Sequence, residues 1–377
     1  MRTTFVLAIL LAFTTLAWAQ GRGGGRPAPA GPGVEVHPDR SVTFTLRAPD
    51  ATTVHVGGDF GTTTAMTRDA DGMWTAKVGP LDPAIYNYTF TVNGVRTLDP
   101  ANPWVGSADR NPGSTQFEVK GPEPAPWDAQ AVPHGNLHIN YYNSTKFGGA
   151  LRMVYVYTPP GYETSAARYP ALYLMHGAGG NESSWYTGGR ANIILDNLIA
   201  QGRARPMVVV MPYGRPGPSS TIDPSVPAVA SGLPGDVVFP NDVVEDVVPF
   251  IEKNYRVTAN ADARAIAGLS MGGNQTLHIG LNHLDTFHYI GAFSPVIFNQ
   301  SVEADHAPAF ADVAATNTKL KVFFVYCGNE DTLFESNKSF DALLTERGLT
   351  HTFVETGGAH VWRNWRDYLA DFTPRLF

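Results

Sequence analysis

One cysteine, Cys327, in 377 residues excludes any intrachain disulfide, so the chain must be stabilised by packing. Charge is also scarce, at 16% of residues, and Lys+Arg (27) are outnumbered by Asp+Glu (34). With a net charge of -7 and no basic run to follow a phosphate backbone, neither nucleic acid nor an anionic membrane is an expected partner. Eleven histidines include no H-E-x-x-H pair, there is no C-x-x-C, and neither G-K-[ST] nor G-x-G-x-x-G occurs, so no metal or cofactor is expected. No apolar run reaches the ~20 residues that span a bilayer. The run over residues 5–12 follows Arg2 and precedes Ala17-Trp18-Ala19, an A-x-A cleavage pattern. Residues 1–19 therefore read as a signal peptide, and the mature chain as secreted or periplasmic.

Glycine (38) and proline (29) are plentiful and mark out the organisation. Residues 20–33 are a Gly/Pro-rich linker that cannot bury enough surface to fold. From 34 to 120 the signal is short strands. Val42, Phe44 and Leu46 alternate with polar residues, as do Tyr86, Tyr88, Phe90 and Val92, and Asp71-Gly72 and Asn93-Gly94 supply hairpin turns. The expectation is a small all-β, immunoglobulin-like sandwich. A Pro-rich linker, 121–135, follows. From 136 to 377, continuous apolar strands (172–175, 207–211, 289–293, 322–326) alternate with helical patterns (192–200, 241–253, 274–281, 335–347). That is an α/β domain with a mostly parallel sheet. The loop 215–235, rich in Pro, Ser and Gly, is long enough for a lid or pocket wall.

Gly268-Leu269-Ser270-Met271-Gly272 lies between the apolar segment 265–267 and a helix, the strand-turn-helix context in which G-x-S-x-G exposes a nucleophilic serine above a sheet. A serine hydroxyl needs a base, and the base an acid to hold its tautomer. In the chain order of α/β-hydrolases the acid and histidine come later. Asp331 fits the acid, after the strand 322–326, with Glu330 a close competitor, and His360 fits the base, after Gly357-Gly358. His176-Gly177-Ala178-Gly179-Gly180 follows the strand 172–175, so Gly177 or Ala178, with Met271, are candidate oxyanion-hole donors. Trp185, Tyr186 and Gln275 are candidate substrate-binding residues, and Trp74 and Trp104 candidate sugar platforms.

From about residue 136 onward, the stretches Tyr157-Thr158-Pro159-Pro160-Gly161-Tyr162, Leu174-Met175-His176-Gly177, Asp196-Asn197-Leu198-Ile199-Ala200, 268–273 and 357–362 resemble carbohydrate esterase family 1. That family includes feruloyl and acetylxylan esterases and overlaps with the esterase D and enterochelin esterase groups. The resemblance implies an α/β-hydrolase fold with Ser270 as nucleophile, Asp331 as acid and His360 as base. Gly72-Met73-Trp74, Tyr86-Asn87-Tyr88-Thr89-Phe90 and Asp99-Pro100-Ala101-Asn102-Pro103 resemble carbohydrate-binding module family 48. Together they imply a feruloyl esterase acting on feruloylated or acetylated plant polysaccharide or oligosaccharide, arabinoxylan foremost. Acetylxylan esterase, siderophore esterase, acyltransferase and a glycan-binding protein without activity are the alternatives.

Overall fold

The computed structural model describes residues 33–106, 113–220, 222 and 238–377. The expected signal peptide and all but the last residue of the linker 20–33 lie outside the described residues, as does most of the loop 215–235.

Residues 34–119 form two antiparallel sheets. One has the order β1 (Val34–Val36), β2 (Val42–Arg47), β6 (Met73–Val78), β5 (Thr67–Arg68). The other has β4 (Gly61–Ala65), β3 (Val54–Gly58), β7 (Ala84–Val92) and β8 (Val95–Thr97), with β9 (Thr115–Val119) also on β7. Period-two burial along β2 sends Val42, Phe44 and Leu46 into a core shared with Val54, Val56, Tyr88, Phe90 and Phe117. Trp74 lies in this core with Nε1 donating to the Ala48 carbonyl at 2.9 Å, so it is packing and not a sugar platform.

The second region is one eight-stranded sheet of order β10-β11-β13-β12-β14-β15-β16-β17. The strands are β10 (Asn136–Ser144), β11 (Ala150–Thr158), β12 (Ala171–Met175), β13 (Val208–Pro212), β14 (Arg264–Leu269), β15 (Tyr289–Phe293), β16 (Val322–Gly328) and β17 (Thr352–Thr356). Strands β10 and β11 form an antiparallel hairpin, β11 meets β13 antiparallel, and every other pairing is parallel. Helices cover both faces, which is why β12, β13 and β14 are buried along their whole length. Tyr173, Met175 and Ile266 pack on one side, and Leu172, Leu174, Ala265 and Ala267 on the other.

The segment joining the two regions has the composition of a spacer and yet is pinned to the α/β region. Trp127 is 6% exposed within the core on the Leu172 side, and the Asn197 amide donates to the Pro126 and Asp128 carbonyls, both at 2.8 Å. Ile85 of β7 enters the same core. The fully buried Arg366, on the helix Trp362–Phe372, donates to the carbonyls of Ile85 (3.0 Å) and Gly188 (2.9 Å). The two regions, each with its own core, are therefore joined by a buried contact.

Candidate active site

Ser270 follows β14 and immediately precedes the helix Met271–Asn282. Its backbone sits at φ 56, ψ -117, a conformation L-residues avoid, and it is held there by Ser270 N–H donating to the Phe293 carbonyl (2.9 Å) and by its own carbonyl accepting from Asn274 N–H (3.0 Å). The turn is tight enough that a β-carbon on Gly272 would stand 2.5 Å from the His176 carbonyl oxygen. A small residue there is a steric requirement.

His360 Nε2 lies 2.9 Å from Ser270 Oγ, and its Nδ1 lies 2.8 Å from Asp331 Oδ2. The ring is partly exposed, at 29%, while the Asp331 side chain is fully buried. Burial raises the Asp331 carboxyl, but hydrogen bonds from His360 and from Leu333 N–H outweigh it, and the group rests below its usual carboxylate value. It is thus poised as an anion. Glu330 is exposed, with its backbone N–H donating to the Gly358 carbonyl. Of the two acids it is Asp331 that meets the imidazole. Here β16 and the histidine loop approach so closely that a β-carbon on Gly328 would stand 2.0 Å from the Gly358 carbonyl oxygen. Asn364 fastens the histidine loop by donating to the Gly357 carbonyl at 2.8 Å. Trp365 meets the His360 ring edge to face at 4.9 Å. Cys327, the other nucleophile nearby, is buried, and desolvation, aided by the Asp331 charge, pushes its thiol up to about 12, so it stays protonated and inert.

Gly177 packs directly beside the serine: a β-carbon there would stand 2.4 Å from Leu269 Cδ1 and 3.2 Å from Ser270 Cβ. Ala178 is exposed, and Met271 starts the nucleophile helix. The run Gly177–Gly180, Ser184 and Trp362 line a pocket of about 150 Å³. Trp362 is a site residue that sequence reasoning missed; its signal was an aromatic two residues after the histidine.

Two candidates move. Trp185 is completely buried, with Nε1 donating to the Met175 carbonyl (2.8 Å) and its ring edge-on to Phe293 and Trp362; it is core, and its volume supports the site only from behind. Gln275 is 3% exposed and its amide donates to the Gly214 carbonyl at 2.7 Å, so it faces protein and not substrate. Tyr186 is 40% exposed, and with Trp104 it lines a different, larger pocket between the two regions. Among the described residues no group of three or more His, Cys, Asp or Glu side chains converges as a metal would require.

A hydroxyl on a strained turn, an imidazole bridging it to a buried carboxylate, and a glycine-lined pocket beside it are the parts that acyl transfer needs. An endo-1,4-beta-xylanase/feruloyl esterase of Xylanibacter ruminicola is 31% identical over 344 residues, 89% of this chain and 44% of the relative. The chain thus spans less than half the length of that relative. A solved ferulic acid esterase is 26% identical and superposes with a TM-score of 0.55 over 64% of this chain and 97% of its own. The enterochelin esterase of Shigella flexneri, at 18% identity, shares the fold over 90% of this chain and 94% of its own with a TM-score of 0.69. The Esterase family model matches residues 144–376, which include Ser270, Asp331 and His360, and the chain belongs to that family.

Proposed function

We propose that the protein is an exported serine esterase that removes acyl groups from plant cell-wall polysaccharide, with feruloyl esters of arabinoxylan as its favoured substrates. The observation that carries the chemistry is the unbroken relay from Ser270 Oγ through His360 to Asp331, at 2.9 and 2.8 Å. The 31% identity to a xylanase/feruloyl esterase along nearly the whole chain favours the substrate class. The A-x-A pattern at Ala17-Trp18-Ala19 supports export, and the stretches resembling family 48 fit a glycan-directed β-region.

His360 Nε2 takes the Ser270 proton as Oγ attacks the ester carbonyl, and Asp331 steadies the imidazolium that forms. The tetrahedral oxyanion is received by backbone N–H groups of Gly177 or Ala178 and of Met271, already fixed before reaction. The imidazolium returns its proton to the departing sugar oxygen, leaving an acyl-Ser270 ester. Water, deprotonated by the same imidazole, then attacks this ester, and the acid and the free serine are restored. The apolar edge of Trp362 forms a wall for a flat acyl group.

The test is the initial rate on methyl ferulate and on acetylated xylan, with Ser270→Ala as control. Ferulate release that vanishes in the variant is expected. Acetate release alone moves the protein to acetylxylan, and silence on both esters favours a siderophore ester, an acyl acceptor other than water, or glycan binding without turnover.

A further inference from the structure

The larger pocket, about 490 Å³, lies where the two regions meet. Trp104 and Val105 come from the β-region, and Tyr186, Thr187, Arg190, Asn192 and Ile193 from the α/β region. Its volume suits one or two sugar rings. We propose that it is a subsite for a carboxylate-bearing sugar, a hexuronate on the same polysaccharide whose ester Ser270 attacks; this rests on the function proposed above.

The aromatic walls account for a sugar. Trp104 is half-buried and Tyr186 is 40% exposed, so each offers apolar surface to the C–H face of a pyranose. Arg190 accounts for the charge. Its guanidinium lies over the Trp104 ring at 5.5 Å, and among the described residues no carboxylate stands within ion-pair distance of it. The Arg190 charge is felt by Glu118, but burial and the neighbouring Asp128 push that carboxyl up to about 7, so Glu118 offers Arg190 only a partial counter-charge. A planar fork stacked on an aromatic and left without a carboxylate is suited to take one from a ligand. Arg190 also holds φ 51, ψ 34, a left-handed conformation uncommon for a residue with a side chain, at the start of the helix Ala191–Ala200.

Position links this pocket to the reaction. The single turn Ser184–Thr187 separates the two cavities: Ser184 lines the small pocket beside Gly177, while Tyr186 and Thr187 line the large one. One helical turn is ~5 Å. A glycan lying across this turn would run from the pocket beside Gly177 to the one that Arg190 lines.

Calorimetric titration of the full chain with an ester-free xylo-oligosaccharide bearing one glucuronate branch, and with the same compound after reduction of its carboxylate to the alcohol, tests the proposal. The acidic ligand is expected to bind about fivefold tighter, as for a half-exposed charge pair. Salt should erode this preference, Arg190→Gln should abolish it, and Trp104→Ala should weaken both ligands. Equal affinity for the two, a preference that survives Arg190→Gln, or binding of neither overturns it. Methyl ferulate hydrolysis, measured alongside, should be unchanged in Arg190→Gln. Because the titration needs no turnover, loss of the esterase reading would show only in the wild-type rate on methyl ferulate, separately from the fate of this subsite.

Discussion

His176 Nε2 accepts the backbone N–H of Gly214 at 2.8 Å, which leaves Nδ1 as the protonated nitrogen, 2.8 Å from the Gly177 carbonyl oxygen. The imidazole therefore ties the loop beside Ser270 to the end of β13, where Gln275 of the nucleophile helix in turn holds the Gly214 carbonyl. The peptide after Gly177 carries the Ala178 N–H, so its orientation is set by a buried side chain.

His176→Phe keeps the ring volume and removes both hydrogen bonds. Turnover of methyl ferulate should fall on the order of 10- to 100-fold, less than for outright loss of an oxyanion donor, with KM nearly unchanged because the donors matter most in the transition state. Steady-state kinetics separate the two parameters. A rise in KM at constant kcat would assign His176 to ground-state binding instead.

Asp331→Asn should lower kcat on the order of 10⁴-fold, since an amide imposes the wrong imidazole tautomer. Glu330→Gln, altering an exposed carboxyl, should stay within about twofold of wild type. Circular dichroism of both variants should overlay the wild type, and a reversed order of damage would reassign the acid.

Much of this site can be read from residue types alone. Ser270 and His360 stand out because a strand-turn-helix motif and chain order constrain them, and the α/β alternation announces itself in continuous apolar runs. Asp331 and Glu330 are close competitors in sequence, because adjacent carboxyls are told apart only by a long-range contact, here that of Asp331 Oδ2 with His360 Nδ1 at 2.8 Å. Trp185 and Trp362 are equally opaque: an aromatic beside a glycine cluster has the same composition whether it fills the core or faces the pocket. The segment 121–135 reads as a spacer because proline and glycine dominate its start, while the burial of Trp127 is determined by partners 70 residues further on, such as Asn197.

Arg366 tests whether the two regions fold as one. Arg366→Leu deprives the Ile85 and Gly188 carbonyls of their buried donor, which should cost about 3 kcal/mol. Differential scanning calorimetry should show one transition for the wild type and an earlier or divided one for the variant. A variant unchanged in both respects would mean that the interface contributes little to stability.

His306 is 5% exposed, and burial, reinforced by the neighbouring His278, lowers its value to about 4. The folded ring stays neutral where the unfolded one, near 6.5, takes up a proton. Stability is therefore undiminished above pH 6.5 and declines as pH falls toward 4, by up to about 3 kcal/mol from this residue. Urea unfolding at pH 7 and pH 5 should show a smaller difference for His306→Leu than for wild type, and an equal difference would locate the acid sensitivity elsewhere.

Trp362 stands edge-on to Trp185 at 5.2 Å and to Trp365 at 5.4 Å, which fixes its ring as a wall of the pocket beside Gly177. A flat hydroxycinnamoyl group would lie along that wall, whereas an acetyl group is too short to use it. Trp362→Ala should therefore lower kcat/KM on methyl ferulate about tenfold or more, equivalent to roughly 1.4 kcal/mol of lost aromatic contact, and spare an acetate ester by comparison. The ratio of the two specificity constants is the decisive quantity. If both esters lose equally, the ring acts through the histidine loop that it adjoins, and the acyl group is recognised by another surface.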